Sequence, residues 1–257
     1  MASETPDVLD AMLKLYNLKM SLPTSRIRFI VGIDEAGRGP LAGPVSVGAV
    51  VVSVTAIAAK KLKLFSSQNS SYSSSLPLLS LSKLFSSAKF HHSLFQGVKD
   101  SKMLTSASRD RWFKKIKTAR KEGKLDYRVS CVGSKIIDNK GIVFAIRLAI
   151  KRSLEKLGVP PHQTLVLLDG SLSAPNHFLF HKTIIRGDQT VPIISMASIA
   201  AKVVRDKKMI QLSKKFPDFG FNAHKGYGTL SHRRKIRKHG PCEIHRRSFL
   251  RGILRRV

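Results

Sequence analysis

Asp34 and Glu35 are adjacent carboxylates that close an apolar run, residues 29–33, and Gly37-Arg38-Gly39 with Pro40 and Pro44 follows them at once. Two further aspartates repeat the arrangement: Asp169 ends the run 164–168 just before Gly170, and Asp188 follows Gly187 after the run 183–186. The plainest account of such a pair is a polar turn that stops a strand. A turn needs no second acid, however, in a chain with only 16 Asp and Glu among 257 residues. Acids at or just beyond strand ends stand where α/β sheets hold ligands. If these carboxylates meet, they repel and raise one another's pKa unless cations intervene. Oxygen-only donors suit Mg²⁺ or Mn²⁺ and leave room for water, whereas zinc would require His or Cys at ligand spacing, which the nine histidines lack. These histidines are expected at the surface or in structural roles. Neighbouring side chains on a regular strand point to opposite faces, so Asp34 and Glu35 can share a site only if the chain bends there, and the glycines permit that.

The elements that must position these acids are readable in outline. Residues 29–33 and the nearly continuous β-branched run 45–54 flank the Gly-Arg-Gly turn and predict a hairpin of buried strands. A helix capped by Ser106 or Ser108 should run to Lys121 and end at Gly123, with a strand over 127–133. Asp138 or Asn139 should start the most regular helix, with Ile142, Val143, Ile146, Ile150, Leu154 and Leu157 on one face and Gly158 at its end. Residues 164–168 and 183–186 predict further strands. A helix over 195–216 carries Ala197, Ala200 and Ala201 for close approach to the sheet, and a very basic helix over 229–238 stops at Gly240-Pro241.

Composition narrows the classes of function. A formal charge of +30 and a pI near 10.7 point to a polyphosphate partner, because neutralised phosphates release condensed counterions. Cys131 and Cys242 are the only cysteines, too few for a disulfide framework, which fits a reducing, cytoplasmic setting. No apolar run reaches the roughly 20 residues of a membrane span, so no membrane partner is expected. Residues 1–27 form an extension with early acids and an amphipathic patch at Leu9, Met12, Leu13 and Tyr16. Residues 55–97 are serine-rich, lack a sustained period and predict a largely disordered insertion. Dinucleotide and phosphate-loop readings fail: the third glycine after Gly37 and Gly39 comes one residue late, prolines follow, and no Gly-Lys-Ser/Thr segment exists. Nothing resembles a serine nucleophile elbow either.

Taken together and in order, the segment 28–43, Asp100-Ser101-Lys102, Leu167-Leu168-Asp169-Gly170, Arg186-Gly187-Asp188, the segment 197–206, His224-Lys225-Gly226-Tyr227 and the segment 245–249 resemble ribonuclease HII, the type 2 ribonuclease H family. The resemblance covers residues 28–252, with the serine-rich stretch as an insertion. It implies an α/β fold with a ribonuclease H-like mixed central sheet flanked by helices, in a domain over 28–257 with a smaller basic helical part from about residue 217. It further implies an endonuclease that hydrolyses the RNA strand of RNA/DNA hybrids and cuts 5′ of ribonucleotides embedded in duplex DNA, acting as a monomer. Asp34, Glu35, Asp169 and Asp188 match the family's catalytic acids, which hold Mg²⁺ or Mn²⁺. Two ions about 3.5–4 Å apart would leave 5′-phosphate and 3′-hydroxyl ends. Gly37, Arg38 and Gly39 match the turn that meets the ribose 2′-hydroxyl, and Tyr227 matches the tyrosine that stacks beside the ribonucleotide. Ser101, Lys102, Arg186 and Lys225 match positions that contact nucleic acid, with Arg186 standing where the family usually has lysine. Arg233, Arg234, Arg237, Lys238, Arg246 and Arg247 are expected phosphate contacts. Asp206 is assigned to structure and Asp100 to structure or substrate positioning. The competing class is a non-catalytic basic protein that binds nucleic acid through the same surface.

Overall fold

A computed structural model describes residues 26–53 and 104–254. The amphipathic N-terminal patch, the serine-rich stretch and Asp100, Ser101 and Lys102 lie outside the described residues. Strands β1 (Phe29–Ala36), β2 (Val45–Ser53), β3 (Asp126–Val132), β4 (Thr164–Asp169) and β5 (His181–Ile184) form one sheet in the order β3-β2-β1-β4-β5. Antiparallel pairs join β1 to β2 and β2 to β3, while β1 to β4 and β4 to β5 run parallel. The sheet is therefore mixed, as the resemblance implied.

The α-helices among the described residues are α1 (Ser106–Lys121), α2 (Ser134–Lys140), α3 (Ile142–Leu157), α4 (Gly187–Thr190), α5 (Pro192–Lys215), α6 (Phe221–His224), α7 (Leu230–His239) and α8 (Arg251–Leu254). The central strands are apolar on both faces because both are covered. Ile30, Val50, Val52, Leu165 and Leu167 pack against Phe113 and Ile116 of α1 and Ile193, Ala197 and Ala200 of α5. On the other face, Val31, Ile33, Val47, Val166 and Leu168 pack against Ala145, Ile146, Ala149 and Ile150 of α3. Helix α5 lies so close to the sheet that a Cβ on Gly48 would sit 2.2 Å from the Ala197 carbonyl oxygen, and one on Gly32 would sit 2.5 Å from the Ile193 carbonyl. A third cluster of Leu41, Met209, Phe219, Phe221, Ile236 and Leu250 roots the C-terminal helices on the β1–β2 turn and the end of α5.

Local differences from expectation have local causes. Thr105, not Ser106 or Ser108, caps α1 by accepting from the Ser108 amide at 3.2 Å. Asp138 and Asn139 belong to the separate short helix α2, because Gly141 takes φ 84° and breaks the path before α3 begins. The Asp138 carboxylate instead accepts from the amides of Arg247 at 2.9 Å and Ser248 at 3.0 Å. Helix α5 starts three residues earlier than predicted, with Pro192 in its first turn. β5 ends at Ile184, so residues 185 and 186 form the turn into α4. No helix among the described residues is long and apolar enough to cross a membrane.

Candidate active site

Strand β1 runs on past its acids without a break in its pairing. It continues in register with β2, Asp34 opposite Gly48 and Glu35 opposite Val47, whereas its parallel pairing with β4 stops at Ile33 opposite Leu168. The next residues along the two strands are Asp34 and Asp169. Alternation places Asp34 on the face of Ile30 and Gly32, and Asp169 on the face of Leu165 and Leu167, so both carboxylates project toward the α5 side. Asp188 joins them through the single turn of α4, its amide donating to Asp169 Oδ1 at 3.3 Å. Ser195 of α5 donates to the Asp188 carbonyl and Ser198, one turn on, to the Asp34 carboxylate.

Glu35 alternates toward the opposite face, yet at the strand terminus its carboxylate still feels the charge of Asp169 and pairs with Arg38, Nε to Oε1 3.1 Å. Asp34 is only 3% exposed. Burial pushes its carboxyl well above the usual range; the Ser198 hydrogen bond pulls the other way, and the charges of Glu35 and Asp169 add to the rise. Burial raises Glu35 too, against the opposing Arg38 guanidinium. Among the described residues no three carboxylate, imidazole or thiolate donors enclose a metal by themselves. An all-oxygen set of acids, in which the charges of Glu35 and Asp169 raise Asp34, fits an ion that takes few protein ligands and completes its shell with water and substrate phosphate.

Beside the acids, the β1–β2 turn is held from beneath by two guanidinium groups with no solvent exposure, Arg205 of α5 and Arg246. Arg246 donates to the carbonyls of Gly37 at 2.7 Å, Arg38 at 2.8 Å and Gly43 at 3.0 Å. Arg205 donates to Pro44 at 2.9 Å and Ala42 at 3.3 Å, and its side chain fills the space a Cβ on Gly37 would need, 2.0 Å from Nε. In a trans peptide the N–H points opposite its carbonyl. Drawing the Gly37 and Arg38 carbonyls inward therefore turns the Arg38 and Gly39 amides outward, and both residues are exposed. The expectation that Arg246 contacts phosphate is overturned by its burial, whereas Arg233, Arg234, Arg237, Lys238 and Arg247 are exposed. Burial and the neighbouring Arg205 charge lower Arg246 to about 9, which leaves it charged at neutral pH.

The Tyr227 turn belongs to the same unit. Leu41 donates its amide to the Gly226 carbonyl at 2.8 Å, and Arg205 Nη2 donates to the Lys225 carbonyl at 3.1 Å. Tyr227 is 42% exposed, with Lys202 Nζ 5.4 Å and Arg205 Cζ 5.8 Å from its ring centroid. Lys225 occupies the left-handed region at φ 51°, and its amine donates back to the Asn222 carbonyl. Arg186, exposed and likewise left-handed at φ 54°, stands at the start of α4 two residues before Asp188. Asp206 pairs with Lys202 at 2.9 Å, the structural role expected of it. Sequence reasoning missed Ser195, Ser198, Arg205 and the inward role of Arg246. Nothing in the local sequence marks them out: the serines sit among small and apolar residues of α5, and both arginines sit in basic stretches.

The mixed sheet with acids at the ends of its two central parallel strands defines a ribonuclease H-like α/β protein. Comparison with known proteins agrees in sequence and in fold. The family model for ribonuclease HII matches residues 84–252. A ribonuclease HII from Caldicellulosiruptor bescii is 38% identical over 239 residues, 93% of this chain and 95% of that protein, a span long enough to take in both Asp34 and Tyr227. Among solved structures, ribonuclease H2 from Pyrococcus horikoshii OT3 superposes with a TM-score of 0.55 at 25% identity, covering 89% of this chain and 98% of its own. Bst-RNase HIII in complex with Mn²⁺ shares the fold at a TM-score of 0.50 and 17% identity, covering 83% of this chain and 63% of its own. The chain belongs to the ribonuclease HII family, and is a ribonuclease H-type nuclease of RNA/DNA hybrids.

Proposed function

We propose that this enzyme hydrolyses the RNA strand of hybrids and also cuts 5′ of single ribonucleotides embedded in duplex DNA, with Mg²⁺ or Mn²⁺ held by Asp34, Glu35, Asp169 and Asp188. The observation that carries the reading is the pairing of Asp34 and Asp169 at the ends of adjacent parallel strands, on one face, in a chain of net charge +30. Carboxylates whose charges raise one another are compensated by a cation, and the Mn²⁺ complex of Bst-RNase HIII, a protein of the same fold, supports such an ion here. The bound ion would polarise the phosphate and lower the pKa of a water, leaving 5′-phosphate and 3′-hydroxyl ends.

The chain's own residues do the rest. The outward amides of Arg38 and Gly39 offer donors to the 2′-hydroxyl of the ribonucleotide, and the exposed Tyr227 ring offers a stacking surface for its sugar. Arg186, exposed two residues before Asp188, and Lys225, close before Tyr227 in the chain, are assigned as phosphate contacts, and Ser101 and Lys102 are assigned so through the family resemblance alone. Ser198 holds the Asp34 carboxylate in place. The test is cleavage of duplex DNA bearing one ribonucleotide, with and without Mg²⁺, by the native protein and by Asp169→Asn. Metal-dependent incision that the substitution removes supports the assignment, and incision by Asp169→Asn at the native rate at limiting Mg²⁺ would overturn it.

A further inference from the structure

Beneath the Tyr227 turn lie imidazoles that the reaction does not use. His232 and His245 are 0% and 2% exposed, and their Nε2 atoms are 3.0 Å apart. The proton positions follow from the partners. His232 Nδ1 is 2.8 Å from the Tyr227 carbonyl oxygen, which only accepts, so Nδ1 carries the hydrogen and Nε2 of the neutral ring is an acceptor. His245 Nε2 must then be the donor across the 3.0 Å contact, which leaves His245 Nδ1 as an acceptor. The Cys242 amide meets it at 3.0 Å, as that assignment requires. Hydrogen bonds thus run in one direction, from Cys242 N–H through His245 and His232 to the carbonyl of Tyr227.

A third ring completes the support. His224 stacks on His232 at 4.2 Å between centroids and 19° between planes. Its Nδ1 accepts the Gly226 amide at 3.2 Å, and its Nε2 donates to the Phe219 carbonyl at 2.8 Å. Two stacked imidazoles therefore hold the Gly226 amide and the Tyr227 carbonyl, on either side of the Tyr227 α-carbon. Satisfied core histidines would need only any hydrogen-bond partner. Here the path of hydrogen bonds ends on the carbonyl of one exposed residue, Tyr227, with the adjacent Gly226 amide held by the stacked His224, and a second proton on either His232 or His245 would set N–H against N–H.

We propose that His232, its tautomer fixed by His245, is a positioning residue that orients Tyr227 and so sets the preference of the enzyme for a ribonucleotide at a DNA junction. This rests on the reading that Tyr227 meets the sugar. Misplacing a positioning group by about 1 Å can cost on the order of 10²-fold in rate.

The experiment measures kcat and KM on duplex DNA with a single ribonucleotide and on a continuous RNA/DNA hybrid, for the native enzyme, Tyr227→Ala, His232→Leu, His232→Asn and the double variant Tyr227→Ala/His232→Leu. We expect His232→Leu to lower kcat on the single ribonucleotide about 10- to 100-fold, to change KM little and to affect the hybrid less. His232→Asn, which keeps an N–H near Nδ1, should recover most of the loss. The double variant should lose no more preference than Tyr227→Ala alone. Undiminished preference in folded His232→Leu, beside a loss in Tyr227→Ala, would overturn the positioning role while sparing the reading of Tyr227; no loss in Tyr227→Ala would overturn both. Should His232→Leu not fold, ¹⁵N spectra of the native protein at neutral pH decide. His232 protonated on Nδ1 and His245 on Nε2 support the proposal, and any other pair of tautomers overturns it.

Discussion

Asp34 is an expensive residue for the fold to carry. It is buried beside Glu35 and Asp169, and its raised pKa reflects first the loss of water and then their charge. Without a cation, ionised Asp34 costs stability. Asp34→Asn keeps an oxygen to accept from Ser198 but removes the charge, so it should abolish metal-dependent cleavage, spare hybrid binding and stabilise the metal-free protein. A gain of about 1 kcal/mol corresponds to roughly 2–4 °C in melting temperature at this size. Melting curves with and without Mg²⁺ test this: the variant should melt higher than the native protein without metal and gain less on adding it. A variant that melts lower without metal would mean the carboxylate itself is part of the structural framework. Asp34 and Asp169 stood out in the sequence because each closes an apolar run abruptly, whereas Glu35 and Asp188 joined them through the family resemblance. Ser198 did not, since a serine between Ala197 and Ile199 on a buried helix reads only as a small residue.

At the scale of elements, the turn between β1 and β2 owes its shape to residues far along the chain. Arg205 reaches Pro44 across 161 positions and Arg246 reaches Gly37 across 209. This is why the hairpin was legible and its support was not. A lone arginine defaults to a solvated or phosphate-binding role, and only carbonyls supplied by tertiary folding make its burial tolerable. Arg246→Lys tests the clamp. Lysine keeps the charge but cannot serve three carbonyls in a planar fork, and hydrogen bonds to charged groups contribute about 1.5–3 kcal/mol each. The variant should lose turnover at a single embedded ribonucleotide by at least tenfold, while its affinity for plain duplex DNA and the salt dependence of that affinity stay near native. A salt slope reduced by about one charge would instead restore Arg246 as a phosphate contact. The predicted start of the helix at Asp138 or Asn139 failed for a related reason, because the pattern shows where a helix buries its face but not that Gly141 divides it from α2.

Over the whole molecule, charge divides into an inner and an outer set. Arg205 and Arg246 shape the turn from inside, and Arg233, Arg234 and Arg237 line the exposed face of α7. The fold class was legible because the apolar runs and their helices alternate as a doubly covered sheet requires. That inner and outer arginines differ could not be read, since both sets sit in basic sequence. Removing charge at Arg233, Arg234 and Arg237 should weaken every duplex alike and lower the salt slope by about 0.9 for each phosphate no longer neutralised, with the preference for ribonucleotides retained. Titration of binding across a salt series checks this, and a change in preference without a change in slope would place those arginines in recognition rather than general attraction.

The histidine cluster adds a pH dependence of the fold whose sign can be worked out. Burial lowers His232 and His245 to about 4 each from the ordinary 6.5, with help from the His224 charge, Lys235 near His232 and His245 beside it. Below about pH 6.5 the unfolded chain takes up these protons while the folded chain does not, so stability should fall as pH drops from 6.5 toward 4 and be level above that window. The steepest slope is about 1.4 kcal/mol per pH unit for each imidazole. Asp34 and Glu35 act in the opposite sense, because their raised folded pKa values let the metal-free folded chain bind protons before the unfolded chain does. The two trends overlap in acid. Denaturant unfolding of the double variant Asp34→Asn/Glu35→Gln between pH 7.5 and 4.5 removes both opposing contributions and should expose the decline. Stability that stays level over that range would mean the imidazoles accept protons in the folded state, so that burial does not hold them neutral and the one-way hydrogen-bond path to Tyr227 is not maintained in acid.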